Sequence, residues 1–500
     1  MDEKTTKKNL ICFPVGTIGR DMVYQMVTNY MMAFILFAIG PTPAQLAAIT
    51  GIMIAMRVFD ALNDPIMGNI IDRTRTKWGK FKPWLLIGIL VTSVVIVLMF
   101  NPLAKGGWGF VWYFGILYFM YSITYTMHDI SYWGMIPSLG TDSNTRDKFT
   151  SRTNLCAGIG GTLLTIALPI LTTGGAALGG SAVKAYGYIA MALAVIAPLF
   201  LMITIFGVRE DRSYEKNEVP PISFKKIVKT ITGNDQLRWI AIAFLCQQIG
   251  NGLILGGLGS TYIYLEFGYS GGLYSTFSTV GMLVTALLMI FYPTISKRIE
   301  RKPFMKIMMI AAIVGYAIMI AAGLFLPHGA MIKFWIITMG FMISNFGQYG
   351  FYLIMMISIL NTVEYNEYKT GVRDDAIIAS VRPLFTKFAS AIFVGITNLT
   401  YIILKVSSLT NKIQGYETQA AENLISADEK ASLIEAVVQS AAGGQRTGLL
   451  IVMVLVSFIF MSLSYFIYRK HYTLDEKEFD RICKELEARK DATAEPAPAE

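Results

Sequence analysis

The chain has 500 residues, of which 54% are hydrophobic and only 15% are charged, and its formal net charge is +9. A soluble protein carries roughly a quarter charged residues, and the apolar runs here are far longer than the roughly 4–8 residues of a buried strand. The composition therefore excludes a soluble α/β enzyme and indicates a chain that crosses a membrane many times. Because the basic residues recur in alternate loops rather than in one patch, we expect no nucleic-acid partner.

Twelve membrane-spanning helices are predicted by a hydropathy window of about 19 residues. In the first half of the chain they cover residues 16–40, 43–70, 84–102, 109–138, 150–173 and 184–207. In the second half they cover residues 237–266, 271–295, 304–326, 332–366, 375–405 and 447–469. Several are longer than the ~20 residues of one crossing, so we expect tilted or extended helices.

Basic residues orient these helices. They cluster in the loops that follow spans two, four, six, eight and ten, and the intervening loops carry only an occasional lysine. The positive-inside rule therefore places both termini in the cytoplasm. The first residues, MDEKTTKKNLICFPVG, lack the apolar region and cleavage site of a signal peptide, so we expect span one to act as its own insertion signal.

The twelve spans divide into two halves, 1–207 and 237–469, joined by a cytoplasmic loop at 208–236. A faint repeat supports this division, because GNIIDRTRTKWGKFKPW (68–84) follows span two and YPTISKRIERKPF (292–304) follows span eight. Two six-helix halves related by a pseudo-two-fold axis are the architecture of major-facilitator transporters, which bind substrate between the halves. We therefore predict an all-α polytopic membrane protein with this fold.

Two peripheral segments complete the chain. Residues 407–446 are predicted to form a partly helical external insert between spans eleven and twelve, since Ser426 and Glu429 resemble a capping box. Residues 470–500 are predicted to form a cytoplasmic tail, with one charged amphipathic helix and a disordered end rich in Ala, Pro and Glu. Both segments are interpreted as accessory surface.

Span two carries three charged residues in an apolar helix: Arg57, Asp60 and Asp64. Each ionised group at the centre of a lone span costs about 2.5–3.5 kcal/mol on insertion scales, so the three must face a cavity, pair with one another or bind an ion. A structural salt bridge with Arg57 can neutralise one carboxylate but leaves the other. Because Asp60 and Asp64 share a helix face and Asn63 adds an amide oxygen, we expect a site for a hard monovalent cation such as Na⁺, or for a proton.

Span four adds a third acidic residue inside the membrane. The segment YTMHDISYWGMIP (125–137) places Asp129 in mid-span, with Thr126 one turn earlier and Trp133 one turn later. The hydroxyl can complete a cation site, and the indole and carboxylate together can hold a sugar. Trp133 alone would be interpreted as core or as an interfacial anchor, and His128 as a packed, neutral imidazole.

Spans one, five and eleven contribute further charges. Arg20 and Asp21 begin span one and are either a local ion pair or part of the interior. Arg152 begins span five and is either a positive-inside anchor or a substrate contact. Span eleven contains Arg382 and Lys387, and Lys387 lies too deep for simple snorkelling. A cation there can offset the acidic residues across the two halves.

Four segments resemble the signatures of a known family. They are RVFDALNDPIMG, KWGKFKPW, YTMHDISYWGMIP and NTVEYNEYKTGVR, and they resemble those of the glycoside–pentoside–hexuronide:cation symporters of the major facilitator superfamily. The resemblance runs along nearly all of the transmembrane part. It implies a multi-pass protein of the bacterial cytoplasmic membrane that takes up a glycoside with Na⁺, H⁺ or Li⁺.

The resemblance also implies roles for individual residues. The implied cation site consists of Asp60, Asn63, Asp64 and Thr126. The implied sugar site consists of Asp21, Asp129, Trp133 and Arg152, with Arg20 and Tyr125 nearby, Tyr352 in span ten and Lys387 close to both sites.

Three positions depart from the best-known member of that family. Tyr352 replaces a tryptophan, Asn361 an aspartate and Arg382 a neutral polar residue. Arg382 is either a weak sign of an anionic sugar, a partner for a carboxylate such as Glu364, or a residue that faces the cytoplasm.

The sequence predicts a symporter that works by alternating access, without a resident cofactor and as a monomer in the bilayer. Other functions were weighed against it. A membrane-embedded enzyme is disfavoured because no HExxH, GxSxG or paired-histidine motif is present. A non-transporting sugar sensor, or a major-facilitator carrier of another substrate such as a lysolipid, stays open as an alternative.

Overall fold

The computed structural model describes residues 3–104, 106–139, 143–210, 224–295 and 298–494. Within these ranges the backbone forms helices and no β-strand, as predicted for an all-α protein. Residues 211–223 of the predicted middle loop and 495–500 of the predicted tail lie outside the described residues.

The N-terminal half begins with a helix at Glu3–Val15, and six long helices follow it. Span 1 is Thr17–Phe34 continued by the π-helix Ile35–Ile39, span 2 is Pro43–Arg73, span 3 is Lys82–Phe100, span 4 is Gly107–Met135, span 5 is Ser143–Thr172 and span 6 is Ala182–Gly207.

The predicted middle loop contains a helix at Phe224–Gly233, and six long helices of the C-terminal half follow it. Span 7 comprises Asp235–Leu253, the π-helix Ile254–Leu258 and Gly259–Phe267, span 8 is Gly271–Ile295, span 9 is Arg301–Phe325, span 10 is Met331–Thr370, span 11 is Asp375–Ile403, and span 12 comprises Gly443–Ile451, Val452–Val456 and Ser457–His471. The insert contains the helices Val406–Ala421 and Ala427–Gln439, and the tail contains Glu476–Ala494.

Each of the twelve predicted spans coincides with one of these long helices. Within the described residues, ten helices are long and apolar enough to cross a membrane by length and composition. Spans 4 and 8 are not among the ten, although they are 29 and 25 residues long. Span 4 contains polar side chains within its apolar sequence, among them Thr126, His128 and Asp129.

Local capping explains where several helices begin. Thr42 caps span 2, because its hydroxyl accepts a hydrogen bond from the Gln45 backbone and the Gln45 side chain accepts one from the Thr42 backbone. Pro43 occupies the first helical position, where its missing N–H costs nothing. In the insert, Ser426 Oγ accepts from the Glu429 backbone N–H at 3.1 Å, which confirms the N-cap half of the predicted capping box.

One end of the molecule carries both termini and the basic loops. Asn9 exchanges two hydrogen bonds with the backbone of Arg209, which follows span 6, at 2.8 and 3.0 Å. Arg301 at the start of span 9 lies 2.8 Å from Glu476 of the tail helix. The positive-inside rule assigns this end to the cytoplasm, and the insert then lies at the external end.

At the external end, the two halves are packed against each other. The ring of Phe37 in span 1 contacts those of Tyr264 and Tyr269, with centroids 5.6 and 5.5 Å apart. Gly271 of span 8 lies so close to span 5 that a Cβ atom at position 271 would be 1.8 Å from the Pro169 carbonyl oxygen. We call this contact region the external closure, and the cavity described next lies on its cytoplasmic side.

Candidate functional site

A cavity of about 340 Å³ lies between the two halves, and side chains from both halves line it. The N-terminal half contributes Arg20, Asp21, Tyr24, Arg57, Asp60, Tyr121, Ser122, Tyr125, Thr126, Asp129 and Trp133, and the C-terminal half contributes Gln248, Tyr352, Arg382, Pro383, Thr386, Lys387 and Ser390. Most of the predicted site residues of spans 1, 2, 4, 10 and 11 therefore share one cavity instead of facing lipid.

Arg20 joins the two carboxylates of the N-terminal wall. Its guanidinium contacts Asp129, lies 3.1 Å from Asp21 Oδ2 and donates to Thr17 Oγ1 at 3.0 and 3.2 Å. The Arg20 side chain is 1% exposed, whereas those of Asp129 and Asp21 are 35% and 18% exposed. Arg20 therefore holds the two carboxylates from a buried position, and the carboxylates are the more exposed groups of the cavity wall.

Aromatic rings flank this charged group. The guanidinium carbon of Arg20 lies 4.8 Å from the ring centroid of Tyr132 and 5.6 Å from that of Trp133, which are cation–π distances. Tyr125 packs against Tyr24 with ring centroids 5.6 Å apart. Trp133 and Tyr125 are only half-buried, so each keeps ring surface available to a ligand in the cavity.

Asp60 is neutralised from within the N-terminal half. Its carboxylate accepts a hydrogen bond from the Ser122 hydroxyl and lies 3.8 Å from Arg57 Nη1. A separation of 3.8 Å is too long for a hydrogen bond. Part of the acceptor capacity of Asp60 is therefore left for another ligand.

Asp64 is contacted from the opposite half of the molecule. Lys387 Nζ of span 11 donates to Asp64 Oδ2, and Thr126 Oγ1 lies 3.5 Å from Asp64 Oδ1. The side-chain nitrogen of Asn63 is buried without a hydrogen-bond partner. The lysine thus occupies the carboxylate predicted to hold a cation, and it offsets acidic charge across the two halves as the sequence suggested.

The ligand set for a cation is therefore small. Among the described residues, no group of three or more His, Cys, Asp or Glu side chains could hold a metal ion. A cation between spans 2 and 4 would depend on the carboxylates of Asp60 and Asp64 and on the hydroxyls of Ser122 and Thr126. Two carboxylates with neutral oxygens suit a hard monovalent ion.

The C-terminal wall is polar but carries fewer charges. Arg382 Nη1 lies 3.4 Å from the Tyr352 hydroxyl, and Gln248 Nε2 donates to Thr386 Oγ1 at 3.2 Å. Arg382 faces the cavity and does not pair with Glu364, which instead lies 3.1 Å from Arg373.

Asn63 and Asp64 are not among the residues that line the cavity, although Asp64 contacts the lining residue Lys387. Arg152 and Asn361 lie further from it. Arg152 is exposed and donates to the Leu10 carbonyl at 3.2 Å, because its position near the start of span 5 brings it to the N-terminal helix. Arg152 is therefore not among the residues that line the cavity. Asn361 lies beside Arg301 at the cytoplasmic end, so the span-ten position implied by the family resemblance does not reach the cavity.

Seven lining residues were not predicted as site residues from the sequence: Tyr24, Tyr121, Ser122, Gln248, Pro383, Thr386 and Ser390. Ser122 precedes Thr126 by one helical turn, so the helical period of span 4 contained that signal. Gln248 is an amide in an apolar span, which was a second available signal. Nothing local distinguished Tyr24 or Thr386 from ordinary packing residues.

Comparison with known proteins identifies the family. The family model described as MFS/sugar transport protein matches residues 12–427. The chain is 31% identical over 415 residues to the raffinose carrier protein of Pediococcus pentosaceus, covering 79% of this chain and 62% of that protein. It is 30% identical over 405 residues to the lactose permease of Leuconostoc lactis, covering 76% of this chain and 60% of that protein. The chain thus spans about 60% of the length of these relatives.

Among solved structures, a bacterial homologue of the human lysosomal transporter Spinster superposes with a TM-score of 0.61 at 13% identity, covering 94% of this chain and 99% of that one. At this identity the similarity concerns the fold alone, and it agrees with two six-helix halves. The family model covers most of the chain and includes the segments whose resemblance was noted from the sequence. The chain therefore belongs to the MFS/sugar transport protein family, the glycoside–pentoside–hexuronide:cation symporters of the major facilitator superfamily.

Proposed function

We propose that this protein takes up a glycoside or oligosaccharide together with a monovalent cation, by alternating access to the cavity between its halves. The observation that carries the proposal is the convergence of carboxylates and aromatic rings on that cavity. The names of two relatives, a raffinose carrier and a lactose permease, add support. Both sugars are short oligosaccharides, which is the substrate class that we infer.

Sugar recognition is assigned to the N-terminal wall. Sugar hydroxyls donate well to carboxylates, and such charge-assisted hydrogen bonds are about twice as strong as neutral ones. Asp129 and Asp21 present their oxygens to the cavity, while Trp133 offers ring surface for the apolar face of a sugar. Arg20 acts as a positioning residue, since it is buried and holds both carboxylates in place.

Cation binding is assigned to Asp60 and Asp64, with Thr126, Ser122 and the neighbouring Asn63. The transported ion is Na⁺, H⁺ or Li⁺. Lys387 neutralises Asp64, so an arriving cation has to displace the ammonium group. This exchange keeps the carboxylate neutralised throughout, which matters because an unpaired charge in a buried site is costly.

Coupling follows from the distance between the two sites along span 4. Thr126 of the cation site and Asp129 of the sugar site lie one helical turn apart. A cation that orders this turn tightens sugar binding, and by linkage the sugar tightens cation binding by the same factor. One chain supplies both walls of the cavity, so we propose that a monomer is sufficient.

The experiment is concentrative uptake into proteoliposomes, with Na⁺ and pH gradients applied separately across a panel of oligosaccharides. Replacing Asp64 by Asn removes the negative charge that the cation neutralises, so accumulation should fall to background. Passive sugar movement down its own gradient should persist, because Asp64→Asn leaves Asp21 and Asp129 of the sugar site in place.

Glu266→Gln is the matched control, because Glu266 also forms a buried carboxylate–lysine pair, with Lys333 at 2.5 Å, but lies outside the cavity. This variant should accumulate sugar normally. Full accumulation by Asp64→Asn would refute the cation site. Sugar binding without any accumulation by the parent protein would favour a non-transporting sensor, and competition by lysolipids but not by sugars would favour a lipid carrier.

A further inference from the structure

The insert after span 11 makes a buried contact with the opposite half of the molecule. Glu417 accepts a hydrogen bond at 2.7 Å from the backbone N–H of Ala182, the first residue of span 6. Lys430 donates to the carbonyl oxygens of Gly174 and Gly180, in the connection that leads to span 6, at 3.3 and 2.8 Å. Two charged side chains of the C-terminal half thus satisfy backbone groups of the N-terminal half.

These two side chains also form an ion pair that is removed from solvent. Their closest charged atoms are 3.3 Å apart, and the side chains of Glu417 and Lys430 are 0% and 1% exposed. Burial raises the pKa of the Glu417 carboxyl even though Lys430 lowers it. Buried charges are tolerated when additional hydrogen bonds satisfy them, and here those bonds come from the backbone of the other half.

A second set of contacts lies one to two turns earlier in the insert. The Asn411 side chain donates to the Pro41 carbonyl at 3.1 Å, and the Gln414 side chain donates to the Ala38 carbonyl at 3.5 Å. Ala38 lies at the end of span 1, and Pro41 lies in the short connection to span 2. All of these bonds join insert side chains to backbone atoms of the N-terminal half, so they form only while the two halves touch at the external end.

We propose that the insert is an external latch, which holds the cavity closed to the outside and has to detach each time the cavity opens outward. The latch comprises Asn411, Gln414, Glu417 and Lys430. It rests on the alternating-access part of the proposed function, but not on the identity of the sugar or the cation. Weakening the latch should shift the population towards the outward-open state.

The latch can be tested by chemical labelling. In a background in which the native cysteines are replaced, Ser260→Cys places a thiol in the external closure, where Ser260 is 6% exposed. A membrane-impermeant maleimide, added from the external side, reports how often that closure opens. Adding Glu417→Gln should accelerate labelling about tenfold or more, where tenfold corresponds to about 1.4 kcal/mol.

Glu266→Gln is again the matched control. Its carboxylate is 3% exposed and pairs with Lys333 inside the C-terminal half, so it removes the same charge without touching the N-terminal half. Ser260→Cys should react at the parental rate in this variant. Equal labelling rates for Glu417→Gln, Glu266→Gln and the parent would overturn the proposal.

Two further variants keep the proposal testable if Glu417→Gln does not fold. Asn411→Ala combined with Gln414→Ala removes only contacts at the edge of the insert, and it should accelerate labelling by a smaller factor. Exchanging the charges, Glu417→Lys with Lys430→Glu, keeps an ion pair within the insert but presents the wrong groups to the opposite backbone. A parental labelling rate in both would mean that the pair stabilises only the insert itself.

Failure of the latch is distinguishable from failure of the proposed function, because labelling requires no sugar transport. Accelerated labelling in the latch variants, with no accumulation of any tested sugar by the parent protein, would support the latch and refute the transport proposal. Normal sugar accumulation by the parent, with equal labelling rates in the parent and the latch variants, would support the transport proposal and overturn the latch.

Discussion

The two ends of the interface between the halves are held together differently. At the cavity, charged side chains pair with one another, as Lys387 does with Asp64. At the external end, insert side chains bind backbone atoms, as Glu417 does with Ala182. A charged ligand can replace one member of a side-chain pair without moving the backbone, whereas side-chain–backbone contacts form only when the halves meet. The contacts at the cavity end can therefore change when a ligand binds, whereas those at the external end break when the halves separate.

The largest effect is expected for Arg20→Met, which breaks the charge balance at the cavity end. Removing one partner of a buried ion pair costs about 3–5 kcal/mol, and Arg20 serves both Asp21 and Asp129. The free energy of unfolding should therefore fall by about that amount, and sugar binding should be lost. Thermal unfolding in detergent and calorimetric sugar titration measure the two effects.

Arg20→Lys is the control for this prediction. It keeps the positive charge but loses the planar fork that reaches two carboxylates at once, so it should be intermediate in both stability and affinity. Parental sugar affinity in Arg20→Met would show that the two carboxylates need no positioning.

A second prediction breaks the external end instead. Gly271→Val places a side chain where a Cβ would lie 1.8 Å from the Pro169 carbonyl oxygen, so the halves can no longer meet there. Uptake should fall about tenfold or more, equivalent to about 1.4 kcal/mol, while sugar affinity in detergent changes little because the cavity is untouched.

Gly272→Val is the matched control for that steric block. A Cβ at position 272 would meet only the Ser270 hydroxyl, at 3.8 Å, which is ordinary contact. Gly272→Val should transport normally. Equal loss of uptake in both variants would mean that loss of glycine flexibility in span 8, and not the close contact between spans 8 and 5, causes the effect.

Features that depend on one helix alone could be predicted from the sequence, whereas contacts between distant helices could not. The hydropathy pattern located the spans closely: span 4 was predicted at 109–138 and is observed at Gly107–Met135. Helical spacing also placed the acidic residues of spans 2 and 4 on inward faces, because that needs only the period of one helix.

Side-chain contacts between the two halves could not be predicted from helical periodicity. Lys387 and Asp64 are 323 positions apart in the sequence, and periodicity shows which face is interior but not which residue on another helix it meets. The burial of Arg20 beneath two carboxylates and the backbone contacts of the insert were missed for the same reason. Arg152 shows a further limit, since its position early in span 5 is compatible both with a positive-inside anchor and with a substrate contact.

A third prediction concerns the lysine that bridges the halves at the cavity. In Lys387→Met, Asp64 loses the ammonium group that competes with the cation, so apparent cation affinity should rise about tenfold, or about 1.4 kcal/mol. Net uptake should slow, because the empty carrier now has to reorient with an unpaired carboxylate. The measurement is the cation dependence of sugar binding in detergent, compared with uptake in proteoliposomes.

Lys333→Met is the control, since it removes a buried lysine that pairs with Glu266 away from the cavity. It should leave the cation dependence unchanged. A fall in cation affinity for Lys387→Met would show that the lysine supports the cation site instead of competing for it.

The smallest effect is expected on the C-terminal wall. Tyr352→Phe removes a hydroxyl that lies 3.4 Å from Arg382, a distance beyond that of a strong hydrogen bond. A neutral sugar should therefore lose about threefold or less in affinity, which is below the usual worth of a hydrogen bond to a charged group. Calorimetric titration with neutral and carboxylated sugars measures it.

Arg382→Gln is the informative companion of Tyr352→Phe. Among the cavity-lining cations of the described residues, Arg20, Arg57 and Lys387 each lie near a carboxylate, whereas the contacts recorded for Arg382 are to the Tyr352 hydroxyl and the Met356 sulfur. If the preferred sugar is neutral, Arg382→Gln should resemble Tyr352→Phe. If the preferred sugar carries a carboxylate, Arg382→Gln alone should lose about tenfold or more, because a charge-assisted bond is worth about 1.5–3 kcal/mol. The ratio of the affinity losses in Arg382→Gln and Tyr352→Phe thus distinguishes a C-terminal wall that only shapes the cavity from one that binds a charged group of the sugar.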